Sequence, residues 1–189
     1  MQRAAPSDRM GSSVPTGLQA ASCKLIGAKR GKRKALEGEA HTYAARVARI
    51  AVSVEIPVSP AVVWADVSNL ASHVEWMADA ESIEFLSART AGHGTRMHVA
   101  TRVGPFRTSD VMEVTQWNPP RVMAVTHQGL FAGSGRFVLE PVDAGTRFRW
   151  EEDIRFPWYL GGAVSAWLAR PVLRAVWRRN LRCLAARFD

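Results

Sequence analysis

The sequence predicts an α+β domain. A curved antiparallel sheet of about seven strands wraps a long C-terminal helix, and two short helices follow the first strand. Three observations carry this. Residues 81–156 hold six stretches of β-type alternation separated by short turn signals, the pattern of an antiparallel meander. Residues 161–189 change to a 3.6-residue period with arginines on one side. A β-rich stretch at 46–56, RVARIAVSVEI, stands apart from the meander and ends at Pro57.

The elements follow in order. Ser59 is a good helix N-cap residue and Pro60 suits the first helical position, so VSPAVVWADVSNL opens with a short helix. LASHVEWMADA reads as a second short helix or turn. The strands are then ESIEFLSA, TRMHVATRV, FRTSDVMEVTQW, RVMAVTHQ, GRFVLEPV and TRFRWEEDIRF, with turns at AGHG, GP, NPP, GLFAGSG and DAG. Proline ends a ladder because it has no amide hydrogen, which makes NPP a break. In the last helix Val172, Leu173, Val176, Trp177, Cys183 and Leu184 share one side, and Arg174, Arg178, Arg179 and Arg182 the other. The only partner large enough for that apolar side is the concave face of the sheet. Pro171 marks a kink or a fresh helix start.

Charge divides the chain. Of 189 residues, 1–43 carry eight Lys and Arg against three acids, and 161–189 carry six Arg against one acid. The formal total is +8, so the stretch between, 44–160, is at −2. Residues 1–43 lack hydrophobic period and include KRGKRK and all four lysines; they read as a disordered basic arm, or as leader sequence from a start codon placed too early. The folded domain is then 44–189. Cys23 and Cys183 offer neither a disulfide framework nor metal-ligand spacing, so a cytoplasmic, reducing location is expected. The uncharged run Phe156–Ala169 is shorter than the ~20 residues of a membrane span.

IPVSPAVVWADVSNLASHVEW at 56–76, VTQWNPPRVM at 114–123 and LEPVDAGTRFRW at 139–150 carry a family pattern. It consists of Pro60, Val63 and Trp64 in the first helix, Trp76 closing the second, Pro119 and Pro120 between strands, and Gly145 and Thr146 opening the last strand. In this order the chain, over about 46–188, resembles the START-like (SRPBCC) superfamily, specifically its polyketide cyclase/dehydrase and lipid transport group. The resemblance implies a helix-grip fold with a deep cavity between sheet and helix. Members bind lipids, sterols, polyketides, quinones or plant hormones; some catalyse cyclisation or dehydration, and many only bind and carry. It implies no cofactor, and it transfers no universal catalytic motif.

Alternation anchored at Phe148 and Trp150 gives the inward rows: Met97, Val99, Thr101; Met112, Val114, Gln116; Met123, Val125, His127; Phe137, Leu139; Phe148, Trp150, Glu152, Ile154, Phe156. With Trp76, Val176, Trp177 and Asn180 they form the expected cavity lining, suited to a bulky apolar ligand. A cavity is preferred to a plain core, and a bulge in any strand would invert its row.

Glu152 is the anomaly. A buried carboxylate must find a donor or raise its pKa. As chemistry it is a general acid/base or an anchor for a ligand hydroxyl, with His127 as its companion. As structure it is a salt bridge to an arginine such as Arg102, and that reading is favoured. Asn180 is read first as a helix-to-sheet hydrogen bond. No histidine has a metal-type pattern with Cys or acids, so no metal is expected.

Trp158, Tyr159 and Trp167 flank Gly161–Gly162, beside Arg170. They are either core-capping aromatics, the favoured reading, or a lid that touches anionic membrane. Nucleic acid ranks third as a partner, because KRGKRK and the arginine helix come without a stacking platform. A carrier of a hydrophobic small molecule is the leading expectation, and a cyclase or dehydratase the alternative.

Overall fold

A computed structural model describes residues 47–189; the basic arm at 1–43 lies outside the described residues. The elements are β1 (Val47–Ile56), α1 (Pro60–Val67), a 3-10 turn (Leu70–Ser72), α2 (His73–Trp76) and β2 (Ala80–Phe85). Then follow β3 (Arg96–Val103), β4 (Phe106–Asn118), β5 (Val122–Gln128), β6 (Gly133–Val142), β7 (Gly145–Arg155), a 3-10 turn (Trp158–Leu160) and α3 (Gly162–Ala185). The seven strands form one antiparallel sheet in the order β1-β7-β6-β5-β4-β3-β2. β2–β7 are the expected meander, and β1 pairs with β7. This is the helix-grip arrangement.

β1 shows why these residues make strands. Ala48, Ile50, Val52 and Ile56 are buried, while Arg49, Ala51, Ser53 and Glu55 are exposed, a period of two with one wet face. α1 begins at Pro60 as expected, but Ser59 caps it only through its carbonyl, which accepts the amides of Val62 and Val63; its side chain makes no capping bond. The Gly-Thr pair opening β7 locks the corner between β1 and α1. Gly145 has φ of 138°, and a side chain there would overlap the carbonyl oxygen of Ile56. The Thr146 hydroxyl donates to the carbonyl of Val58 at 2.6 Å.

The alternation places most inward rows correctly and misses one residue of β4. The ladder between β4 and β5 shifts between Val114 and Gln116. Beyond that bulge the residue opposite buried Met123 is Trp117, and Gln116 is opposite Ala124. Gln116 is therefore turned off the inward row, and Trp117 packs edge-on against Trp64 with ring centroids 5.2 Å apart.

α3 lies chiefly along β1. Its covered stripe is Ala166, Trp177, Asn180, Leu181 and Leu184, with Leu173 and Val176 half-buried. Burying Trp177, Leu181 and Leu184 is worth about 1.5–3 kcal/mol each. Val172 and Cys183, expected on this side, are exposed. Cys183 falls at the edge of the stripe and Val172 beyond it, toward the opposite side, because the centre runs through Leu173, Trp177 and Leu184. Pro171 sits inside the helix, which is assigned without interruption from Gly162 to Ala185.

His73 shows what the core tolerates. Its Nε2 lies 2.8 Å from the Val67 carbonyl, and its ring packs on Trp76 and Phe137 at 5.1 and 5.9 Å. Burial lowers its pKa to about 4, against the Val67 hydrogen bond and the charge of Asp66. The unfolded chain binds this proton below about 6.5, and the native protein only near 4. Stability present above pH 6.5 is thus lost as pH falls toward 4, by about 3 kcal/mol. Urea titrations across this range should show that loss, and His73→Gln should flatten it.

Candidate functional site

Three adjacent strands build the site. His127 lies near the end of β5, and Trp150 and Glu152 lie two apart on β7, all on the inward face. Between them runs β6, which places Gly133 opposite His127 and Gly135 opposite Glu152. Without side chains on β6, a residue of β5 can reach diagonally to one of β7. A Cβ at Gly135 would stand 2.7 Å from Oε2 of Glu152. Gly135 is thus a close-approach glycine that leaves room for the carboxylate.

In that space Nε2 of His127 lies 2.9 Å from Oε1 of Glu152. Neither atom has an aligned hydrogen-bond partner. When His127 is protonated the contact is an ion pair with a poorly aligned N–H, and its short distance carries Coulomb attraction at a buried position. The other oxygen of Glu152 accepts the indole Nε1–H of Trp150 at 2.7 Å. Glu152 is 5% exposed.

Two further carboxylates approach the pair. Asp110 of β4 is buried, and its Oδ1 has no hydrogen-bond partner. Burial raises its pKa, against the charge of His127, the amides of Leu130 and Phe131, and the Thr108 hydroxyl. Asp79, just before β2, is held by Asn180, whose Nδ2 donates to Oδ1 at 2.5 Å. Burial raises the Asp79 pKa, Asn180 opposes this, and the charge of Glu152 adds to it. On His127, burial pulls the pKa down, but the Glu152 contact and the charges of Glu152 and Asp110 outweigh it, so the net shift is upward. The acidic neighbours thus stabilise the imidazolium form of His127.

Aromatic rings floor this cluster. Trp150 packs on Phe137 at 5.2 Å, on Trp177 of α3 at 5.3 Å and on Trp76 at 6.3 Å. Coverage is uneven along the sheet. Val114, Met123 and Phe148 are buried, whereas Met112, Val125, His127 and Ile154 are only partly so. The partly covered row marks a mouth beside the β5–β6 turn, where Phe131 meets Phe156 at 5.1 Å.

The expected salt bridge from Glu152 to Arg102 does not form. Arg102 Nε donates to the carbonyl of Gly104, and its guanidinium faces Glu81 at 3.7 Å. Arg102 points off the inward face, so the buried carboxylate is met by a histidine instead. Met97, Val99, Val114, Met123, Phe137, Phe148, Trp150, Trp76 and Trp177 are buried, with Met112, Val125, Ile154 and Val176 against them. They pack on one another as core. A surface hollow of about 410 Å³ lies over Arg49, Ser134, Arg136, Glu151 and Asp153, with Arg174 of α3 at its side. Of the inward rows it reaches only Ile50 and Glu152. Asn180 is fully buried and ties α3 to the segment before β2, also accepting the amide of Ala78 at 3.0 Å. Trp158, Tyr159 and Trp167 do not cap the core; they are 75%, 61% and 67% exposed.

Sequence reasoning missed Asp110 and Asp79. Asp110 was visible in the alternation, two residues before inward Met112. Asp79 sits in a turn, where no period places it.

A family model described as polyketide cyclase / dehydrase and lipid transport matches residues 47–189. The chain belongs to the polyketide cyclase/dehydrase and lipid transport family. An uncharacterized Mycobacterium tuberculosis protein is 29% identical over 83 positions, 44% of this chain and 58% of the relative. The chain thus matches less than two thirds of that relative's length. Among solved structures, a START superfamily protein from Mycobacterium smegmatis superimposes with a TM-score of 0.62 at 12% identity, covering 74% of this chain and 96% of its own. The Zhui aromatase/cyclase from Streptomyces sp. R1128 does so with 0.58 at 19% identity, covering 75% and 93%. At these identities the two structures establish the START-like fold that the family shares. No helix among the described residues is long and apolar enough to cross a membrane.

Proposed function

We propose that this protein binds a hydrophobic small molecule of the lipid, polyketide or quinone-like kind between the sheet and α3. Its polar group would be held by the His127–Glu152 pair. The observation that carries this reading is the pair itself. A buried ion pair returns little net stability once desolvation is counted, so its presence in an aromatic core asks for another use. A ligand hydroxyl or carbonyl entering past Met112, Val125 and Ile154 meets an imidazolium donor and a carboxylate acceptor together. The lining residues are flexible or half-covered at this end, and the ligand takes the place of their mutual packing.

A second reading has its own support. Glu152 is partnered by a histidine of raised pKa, not by an arginine that would fix its charge. A His–Glu pair can share and pass a proton, as general acid–base cyclisation or dehydration requires. Native mass spectrometry of freshly purified protein separates the readings. A retained lipid or polyketide is expected, and Glu152→Gln should reduce its occupancy roughly tenfold if the carboxylate anchors it. If Glu152→Gln keeps the occupancy but accumulates an unreacted precursor, the catalytic reading stands. Unchanged occupancy and unchanged ligand mass would remove Glu152 from both roles.

A further inference from the structure

α3 carries a second apolar stripe. At 100° per residue, Val164, Leu168, Pro171, Val172 and Ala175 stand opposite the sheet-facing Ala166, Leu173, Trp177 and Leu184. Val164, Trp167, Leu168 and Val172 are 65%, 67%, 57% and 54% exposed. The 3-10 turn before the helix adds exposed Trp158, Tyr159 and Leu160. Scattered exposed apolar residues are ordinary, but a contiguous patch of this kind marks an interaction surface.

Charge names the partner. Between Ile154 and Phe188 there are seven arginines and no acidic residue. Arg170 donates to the Val47 carbonyl, and Arg187 pairs with Asp66 and Glu75. Arg174, Arg178, Arg179 and Arg182 remain exposed on α3. On the outer side of the helix, Arg178, Arg179 and Arg182 continue the line begun by Val164 and Leu168. The solvent face of one helix is therefore apolar and aromatic in its first half and cationic in its second. A second copy fits this face badly. Parallel pairing would set arginines on arginines, and antiparallel pairing would lay them on the apolar half. A surface that offers an apolar boundary beneath anionic groups satisfies both halves at once.

We propose that the Trp158–Ala175 face docks on an anionic phospholipid surface. Trp158, Tyr159, Trp167 and Leu168 enter the headgroup–acyl boundary, and Arg178, Arg179 and Arg182 lie over the headgroups. The helix lies on the bilayer and does not span it. The face begins two residues after Phe156, beside the mouth of the sheet, yet the docking does not depend on what the interior binds.

The test is vesicle flotation of the full chain, which includes the basic segment 1–43 as an internal competitor for charge. Two vesicle types are used, phosphatidylcholine alone and phosphatidylcholine with phosphatidylglycerol. Wild type should float with the anionic vesicles and much less with the neutral ones. Trp158→Ser combined with Trp167→Ser should weaken this roughly tenfold or more without changing the circular dichroism spectrum, because both rings are exposed. Arg178→Glu with Arg179→Glu should weaken it similarly. Absence of wild-type binding to the anionic vesicles overturns the proposal. So does wild-type binding by the serine variant, which assigns the attachment to residues 1–43. Light scattering that finds a wild-type dimer, and a monomer for the serine variant, also overturns it, in favour of a second copy.

Discussion

Glu152→Leu alone is expected to cost about 3–5 kcal/mol of folding stability, because it leaves a buried imidazole without its counter-charge and an indole N–H without its acceptor. Glu152→Leu combined with His127→Phe should cost less than half as much, since apolar groups of similar volume replace a buried pair at little expense. Urea denaturation of the four proteins in a double-mutant cycle reads the coupling. The pH dependence gives a second readout. In the wild type the His127 pKa lies above its unfolded value of 6.5. The native protein therefore binds this proton more tightly, and the stability it contributes is complete below pH 6.5 and lost as pH rises through the native value. Loss of Glu152 removes the largest upward influence, so the His127 titration seen by NMR should move down. Costs of the two single variants that sum to the cost of the double variant would show that the pair is not coupled.

Gly135→Val should break the same pair without touching either member. The position of a Cβ at residue 135, 2.7 Å from Oε2 of Glu152, is closer than such contacts allow. The carboxylate is the movable partner, but Trp150 and His127 hold it on either side. The added volume must displace it, at about 3 kcal/mol from overpacking and a weakened ion pair together. The variant should lower the denaturation midpoint and shift the His127 titration downward, as Glu152→Leu does. A full loss of stability with an unmoved His127 titration would mean that β6 shifted and the pair survived.

Much of this arrangement was legible in the chain. The order of β2–β7 followed from short turns between successive strands and most inward rows from a period of two, and Glu152 stood out because a carboxylate occupied an apolar row. The unread parts have physical causes. The bulge beside Thr115 inverts Gln116 and Trp117, and local sequence does not announce it. The partner of Glu152 depends on two glycines of an intervening strand, which alternation records only as missing side chains. The exposed face around α3 was read only as the less favoured alternative, because large aromatics such as Trp158, Tyr159 and Trp167 are usually well buried. Only the position of the helix over β1 decides which side of it remains uncovered.

The placement of β1 has a consequence for how the molecule is made. Val47 pairs with Arg155, and Ile56 with Thr146, so the first strand finds its neighbour only across the whole meander. β2–β6 can assemble from contacts between successive strands as each leaves the ribosome. β1 is synthesised before the meander and has no pairing strand until β7 has been made, and the helix that covers it comes later still. Its row of buried side chains, Ala48 to Ile56, must stay soluble through that interval. Closure of the domain is therefore a late, long-range event in which its first and last strands meet.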